Sequence, residues 1–378
     1  MLTPDDMQRQ ADSITNIYSY LEDKIFTLII QELQKSRFEK IDQTNVLLWQ
    51  AEQLGKMGVL NDKVIQLLAK LSKRTACEIK NLILSNGMKI VDEVDRELQR
   101  MVHRSVPVSE EVENILDSFV RQTFKDLNNN VNQTLITTNF QENAVMRTYQ
   151  AILKQSTIEV MTGLKTHEQA VRDNVYRMTE AGLKSSFIDR GGHTWSLEAY
   201  SKTVIQSTSH RTFNDLRLKR MEEHDCVTAV MSSHPVSRKA CAHIQGKVVN
   251  TVPMSDSRAD KRFKSIYDYG YGEPDGTQGI NCKHMLYPFI PGVNTNNQPQ
   301  HDPEQAMKNA EIQQKQRQLE RSIRYHKKRL NVAKEFNDES MIRHCNELIR
   351  NKQKQIRDLV DKHEFLVRDY NREQIYSK

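Results

Sequence analysis

The chain has 378 residues, of which 37% are hydrophobic, 28% charged and 7% aromatic, with 13 glycines and 9 prolines. So few turn formers and aromatics exclude a sheet-rich protein and point to long helices in a soluble chain of two or three domains. The net charge is +6, and residues 301–378 hold most of the excess, with 18 Lys and Arg against 13 Asp and Glu, or +5.

Pro4-Asp5-Asp6 opens the first helix, with proline and acids suited to its first turn. Ile14, Ile17, Tyr18, Leu21, Ile25, Leu28, Ile29 and Leu33 recur every three or four residues and carry it to about Lys35. A second segment covers Asn45 to Met57 and stops at Gly58. Asn61 or Asp62 then caps a long third helix, with Gly87 as a candidate break before a helical continuation to Met101. Cys77 lies within it and reads as a small buried hydrophobe.

Pro107 and Ser109 open a fourth helix through Asn128, and Asn128-Asn129-Asn130 reads as a turn. The helical pattern resumes from Gln141 to Lys184, with Gly163 as an interruption. The N-terminal part, 1–188, is thus a helical bundle or arm without a catalytic constellation. Asp189 to Trp195 forms a loop, and Ser196 caps a helix to Glu223 with Glu198 in its first turn. His210 on that helix reads as a hydrogen-bonding residue rather than a ligand.

Six of the 13 glycines and the best strand candidates then fall between Val227 and Gly292. Val227 to Met231 and Lys247 to Val252 have β-branched strand character, joined through about one helical turn. Ser255 to Ser265 reads as a surface loop, and glycines 270, 272, 276 and 279 lead to Cys282. A polar linker, 293–301, precedes a tail, 302–378, read as a helical hairpin. Ile312, Gln316, Leu319, Ile323, His326, Leu330 and Ala333 form a heptad stripe on its first arm. Met341, Cys345, Leu348, Lys352, Ile356 and Leu359 continue on the return arm, with Cys345 in the core. The tail is expected to be dispensable for folding of the module and needed for partner contact. The fold class expected is mainly α: a helical N-terminal bundle, a small α+β module over 189–292, and a C-terminal hairpin or coiled coil.

His234, Cys241, Cys282 and His284 supply two imidazoles and two thiols. Zinc takes such donors in a tetrahedron, and a closed four-ligand site is structural. One ion would clamp a domain too small to hold itself by packing. Paired CxxC motifs are lacking, Cys-x-His is tight for two ligands on one ion, and His243 and Cys226 are possible substitutes. The competing reading packs both cysteines in the core and leaves both histidines hydrogen-bonded to backbone. On either reading the four are expected to converge; without a metal they are expected to be buried, with Arg238 or Gln245 hydrogen-bonding the loop carbonyls around Asn281. No acyl-transfer signature surrounds either cysteine, and Tyr269-Gly270-Tyr271-Gly272 is not a phosphate loop.

The run Ser232-Ser233-His234, Arg238, Cys241, Gln245-Gly246-Lys247 and Gly279-Ile280-Asn281-Cys282-Lys283-His284 resembles the C-terminal module of phage minor capsid proteins related to Mu F-type head morphogenesis proteins. The group it resembles is phage minor capsid protein 2. The likeness extends upstream into Trp195 to Tyr200 and downstream into Gln314 to Arg321. It marks Arg238, Gln245, Gly246, Gly279 and Asn281 as structural positions. It implies a non-enzymatic head protein found in the virion, with portal protein and major capsid protein as partners. Contact of the basic tail with packaged DNA is the further expectation, with a solvated helix face as its alternative. The alternative function is a Mu F-type module with nuclease or transferase activity. No signal peptide is evident, and the longest apolar run, Ile25 to Ile30, is too short to span a bilayer. Five scattered cysteines do not make a secreted disulfide framework, so folding in a reducing host cytoplasm is expected before assembly.

Overall fold

Periodic apolar faces do form the helices that dominate the computed structural model, which describes residues 4–135 and 143–375. Helix α1 spans Pro4–Leu33, α2 Val46–Gly55, α3 Met57–Val102 and α4 Glu110–Leu127. A π-helical turn, Asn128–Asn132, carries α4 into a short α5, Gln133–Leu135. Helices α6, Ala144–Met161, and α7, His167–Ala181, follow, separated at Gly163. The start expected for α6 at Gln141 lies outside the described residues.

Three local expectations fail in this half, each for a packing reason. Helix α3 begins at Met57, ahead of Asn61 and Asp62, with Gly58 in its first turn. Burial of Leu60, Val64 and Leu68 outweighs the cost of one helical glycine, about 1 kcal/mol. Nor does Gly87 break α3: a Cβ there would lie 2.3 Å from Leu116 Cδ2 and 3.1 Å from Leu216 Cδ1, so the glycine lets α4 and the later helix α8 approach closely. The asparagine run continues the helix rather than turning, because Val131 and Leu135 are fully buried. Cys77, expected in the core, is exposed; the buried stripe of α3 passes through Thr75 and Ile79 instead.

A hairpin not anticipated from sequence, β1 Lys184–Ile188 with β2 Thr194–Ser196, leads into α8, Leu197–Glu223. Ser196 caps α8 as expected, its Oγ accepting from the Ala199 amide at 3.2 Å. The module then forms a four-stranded sheet in the order β5-β4-β3-β6. Strand β3 is Thr228–Met231, and a one-turn α9, Lys239–Ala242, links it to β4, Val248–Asn250. Strand β5 is Lys264–Ser265, within the expected surface loop, and a 3₁₀ turn, Ile266–Tyr269, follows it. Strand β6, Leu286–Pro288, was missed at the sequence level. β3 pairs antiparallel with β4 (Ala229 opposite Val249) and with β6 (Val230 opposite Tyr287), and β4 pairs parallel with β5. Pro288 is tolerated because β6 is an edge strand.

The tail helices are α10, Pro303–Glu335, and α11, Glu339–Asp361. Ile323, Ile349 and Ile356 zip them together with Leu319, Leu330 and Val360. The hairpin also joins the N-terminal bundle, since Val332 and Ala333 lie in the bundle core. Lys328 Nζ reaches Glu22 at 2.6 Å on α1 and Glu198 at 2.5 Å on α8. The polar stretch 293–301 is pinned along its length: Asn296 and Gln300 each donate to the Gly246 carbonyl at 2.7 Å, and Gln298 Oε1 accepts from the Ser233 amide at 3.2 Å. Among the described residues, no helix is long and apolar enough to cross a membrane.

Candidate functional site

Two loops of the module bring the sequence-marked residues together. In the first, α9 is a single turn in which the Cys241 amide donates to the Arg238 carbonyl at 2.9 Å, turning the Cys241 side chain into the core. The second runs through the glycines to Cys282. Here Gly279 is required, because a Cβ would lie 2.5 Å from both the Glu273 and Pro274 carbonyl oxygens. Asn281 sits at φ 59°, a left-handed conformation that asparagine tolerates better than most residues. Arg238 staples the two loops, donating through Nη2 to the Gly276 carbonyl at 2.6 Å and through Nη1 to that of Ile280 at 3.0 Å.

The staple leaves the Cys241 and Cys282 sulfurs 3.7 Å apart, with His284 Nδ1 3.5 Å from Cys282 Sγ. The donor atoms of Cys241, Cys282 and His284 all lie within 4.8 Å of one another, and all three residues are buried. Gln245 sits behind the histidine: its Oε1 lies 3.0 Å from His284 Nε2 and accepts from the His234 amide at 3.0 Å. Thr277 Oγ1 stands 3.5 Å from Cys241 Sγ. The hydrogen bond between the thiols, with His284 beside it, pushes the Cys241 thiol down and Cys282 up, burial adding to the rise.

His234 is placed differently from the other three. Its ring lies 4.8 Å from that of His284, centroid to centroid, but its Nε2 is 3.2 Å from Ser232 Oγ, and it is not among the clustered donors. The two substitutes are elsewhere. His243 is exposed, and Cys226 Sγ lies 3.3 Å from the Thr228 carbonyl oxygen. Burial raises the Cys226 thiol, outweighing the hydrogen bond to that carbonyl. His210 is a hydrogen-bonding residue, its Nε2 3.0 Å from the His284 carbonyl oxygen, and burial with Arg217 nearby lowers it to about 4.

A tetrahedral zinc ion with Zn–S near 2.3 Å and Zn–N near 2.05 Å requires an S···S edge of about 3.75 Å and an S···N edge of about 3.55 Å. The 3.7 Å and 3.5 Å separations match two of the three edges this donor set spans, and the third pair, Cys241 and His284, lies within 4.8 Å, so the set suits zinc with two edges already in place.

The cluster lies at the floor of a cleft of about 890 Å³. Its walls come from α1, the module, α10 and the segment after α11, and its cations are Arg9, Arg238, Lys283, Arg317, Arg368 and Arg372. Asp369 is the one acid lining it among the described residues. Glu320 and Glu373, just outside, pair with Arg317 at 2.8 Å and Arg368 at 2.6 Å. The cleft therefore carries six positive against three negative charges. Burial and the charge of Arg372 lower Arg317, a sign of crowded cations. An adjoining cavity of about 550 Å³ shares Asn281, Lys283, Arg317 and Arg372, making one continuous trough. No local pattern foretells this grouping, because its members are up to about 360 residues apart and no motif links them.

The family model for phage minor capsid protein 2 matches residues 2–361. A "Structural protein" of Lactococcus phage LL-H is 41% identical over 364 residues, covering 96% of this chain and 98% of that protein. A "Structural protein" of Lactococcus phage mv4 is 44% identical over 120 residues, covering 32% of this chain and 98% of its own length. No solved structure matches significantly. Matching a family across nearly its whole length, and sharing two-fifths of its residues with a relative of equal extent, this chain belongs to the phage minor capsid protein 2 family.

Proposed function

We propose that the protein is a non-enzymatic structural component of the phage head, lying in the head interior or portal region in contact with portal and major capsid proteins, and that its basic trough holds the phosphate backbone of packaged DNA. Membership of a minor capsid family and two relatives named as structural proteins support the structural role. The DNA contact rests on one observation, the excess of arginine and lysine around a continuous trough. Arginine forks already holding one carboxylate keep further N–H donors for a phosphate oxygen. Such a contact is sequence-independent, as a protein lying against a whole packaged genome requires.

Binding of the full chain to a labelled duplex, followed by anisotropy across a salt series, tests the contact. The logarithm of the binding constant should fall linearly with log salt, by about 0.9 per phosphate neutralised. Lys283→Ala and Arg9→Ala should each flatten that slope by about one phosphate, equally for unrelated sequences. Binding that ignores salt, or variants with an unchanged slope, would remove the trough from the contact. Cross-linking in purified particles tests the placement: links to portal and major capsid protein support it, and links to tail proteins alone refute it.

A further inference from the structure

We infer that Cys241, Cys282 and His284 form a metal site of the zinc class with three protein ligands, and that its fourth position opens into the basic cleft. The inference stands apart from the DNA contact. It differs from the closed four-ligand arrangement the sequence suggested, because the structure sets His234 aside from the clustered donors.

Three independent features carry it. The first is the match of the S···S and S···N separations to two edges of one zinc tetrahedron. The second is the state of His284: its Nε2, 3.0 Å from an amide oxygen of Gln245, is held as the donor, leaving the Nδ1 lone pair facing the sulfurs. Metal-bound histidines are oriented in this way by a carbonyl or carboxylate behind them. The third is access. All three ligands are buried from bulk solvent, yet all three line the cleft together with His234 and Arg238. Two soft sulfurs and an imidazole select zinc over oxygen-seeking calcium or magnesium.

The charges balance. A divalent ion displaces the two thiol protons to solvent, and two thiolates with a neutral imidazole leave the buried site uncharged. No redox step is needed. Three protein ligands leave one tetrahedral position for water, the pattern of an open rather than a closed zinc site. His234 forms the wall beside that position, its Nε2 engaged near Ser232 Oγ.

The test uses the full-length chain, purified under reducing conditions without a polyhistidine tag. Plasma mass spectrometry should find one zinc per chain, and cobalt(II) should replace it to give tetrahedral visible bands with thiolate-to-cobalt charge transfer. Cys241→Ser and Cys282→Ser should each halve the charge transfer. Gln245→Leu should weaken metal affinity about 10–100-fold. His234→Asn should keep one metal per chain with unchanged charge transfer, and azide should shift the cobalt bands through the open position. Circular dichroism checks that each variant is folded. Should a cysteine variant unfold, wild-type metal uptake and the His234→Asn variant still decide the matter. Folded wild-type protein that takes up neither zinc nor cobalt, while all five thiols titrate as reduced once the same sample is denatured, overturns the site. Loss of metal in folded His234→Asn, or cobalt bands indifferent to azide, overturns the open position.

Discussion

The bundle and the module share two helices but are held together differently. The bundle core is built from aliphatic side chains of α1, α3, α4, α6, α7 and α8, with Trp49 and Tyr149 wholly buried among them. The module core has strands of two to four residues and includes the sulfurs of Cys226, Cys241, Cys282 and Met285. It is completed by Ile90, Val94 and Leu98 from α3 and by Phe213 and Met221 from α8. The bundle therefore holds by area of apolar contact, whereas the module holds by hydrogen bonds between loops and by leaning on two helices that also belong to the bundle. A small sheet of this kind is too short to bury a core of its own.

The strongest test of that sharing is to damage the bundle alone. Trp49→Ala removes a fully buried ring that packs edge-on at 4.4 Å to His167, and should cost about 3–5 kcal/mol. Because α3 and α8 serve both cores, the module should lose protection at the same denaturant concentration. Urea unfolding followed by circular dichroism and by hydrogen exchange of β3 checks this. Separate transitions would show that the module stands alone.

A slightly smaller loss is expected at the polar joint between α3 and α8. Arg220 is fully buried. It donates to Asp95 at 2.6 Å, to Glu223, and to the Val106 and Pro107 carbonyls at 2.9 and 3.1 Å. Arg220→Met strands two carboxylates and two carbonyls, at a cost of about 3 kcal/mol. Adding Asp95→Leu should restore part of it, since the surviving charge rather than the lost bond is the larger penalty.

On the module side, Gly279→Ala should cost about 1–3 kcal/mol, the usual range for overpacking. The added methyl meets two backbone carbonyls, which cannot rotate away as a side chain would. Urea midpoints should fall, and the Cys241 and Cys282 thiols should become accessible to a thiol reagent before the bundle unfolds.

The contrast also explains what could be read in advance. Positions such as Ile14, Leu21, Leu60 and Val145 announce helices because burial on one face must repeat every three or four residues. The Ser196 cap and the heptad stripe of α10 were legible for the same local reasons. Cys241, Cys282 and His284 could be named as a group from residue chemistry, but not the exclusion of His234, which depends on where Ser232 sits. Strand β6 was missed because its three residues take their register from β3, far away in the chain, and the hairpin β1–β2 because strands of five and three residues are too short for an alternating pattern to show. Gly58 and Gly87 misled because glycine weakens a helix locally, while packing decides the outcome: burial of Leu60, Val64 and Leu68 after Gly58, and the close approach of α4 and α8 at Gly87.

Acid should loosen the joint between the tail and the bundle, by roughly 1 kcal/mol. Burial works against the charge of Glu198, but Lys328 and Arg324 outweigh it and hold the carboxyl at about 2, below its ordinary 4.5. A depressed carboxyl stabilises the fold above its ordinary value, and the contribution disappears as pH falls from 4.5 toward 2. Lys328 is raised despite burial, by Glu22 and Glu198, so it stays protonated throughout that range and the loss comes from the carboxyl alone. Thermal unfolding of wild type and Lys328→Met should therefore differ at pH 6 and converge as pH falls to about 2. A gap that persists in acid would mean that Lys328 acts through packing alone.

The smallest effect is expected at Cys77, and it sharpens the comparison by isolating the module's sulfurs. Cys77 lies on the outer face of α3, 3.8 Å from the Asn81 amide nitrogen, whereas Cys226, Cys241, Cys282 and Cys345 are buried. Cys77→Ser replaces a solvent-facing side chain on a helix whose stability comes from its other face, so it should change stability by less than about 0.5 kcal/mol. Cys345→Ser puts a hydroxyl into the core of the tail hairpin and should cost about 1–3 kcal/mol. In native wild-type protein, a thiol reagent should label Cys77 first and once, and the Cys77→Ser protein should show no fast-reacting thiol. A second fast thiol in that variant would mean that the Cys241–Cys282 floor of the cleft opens to solvent without unfolding, and that the module is less dependent on the bundle than the shared helices imply.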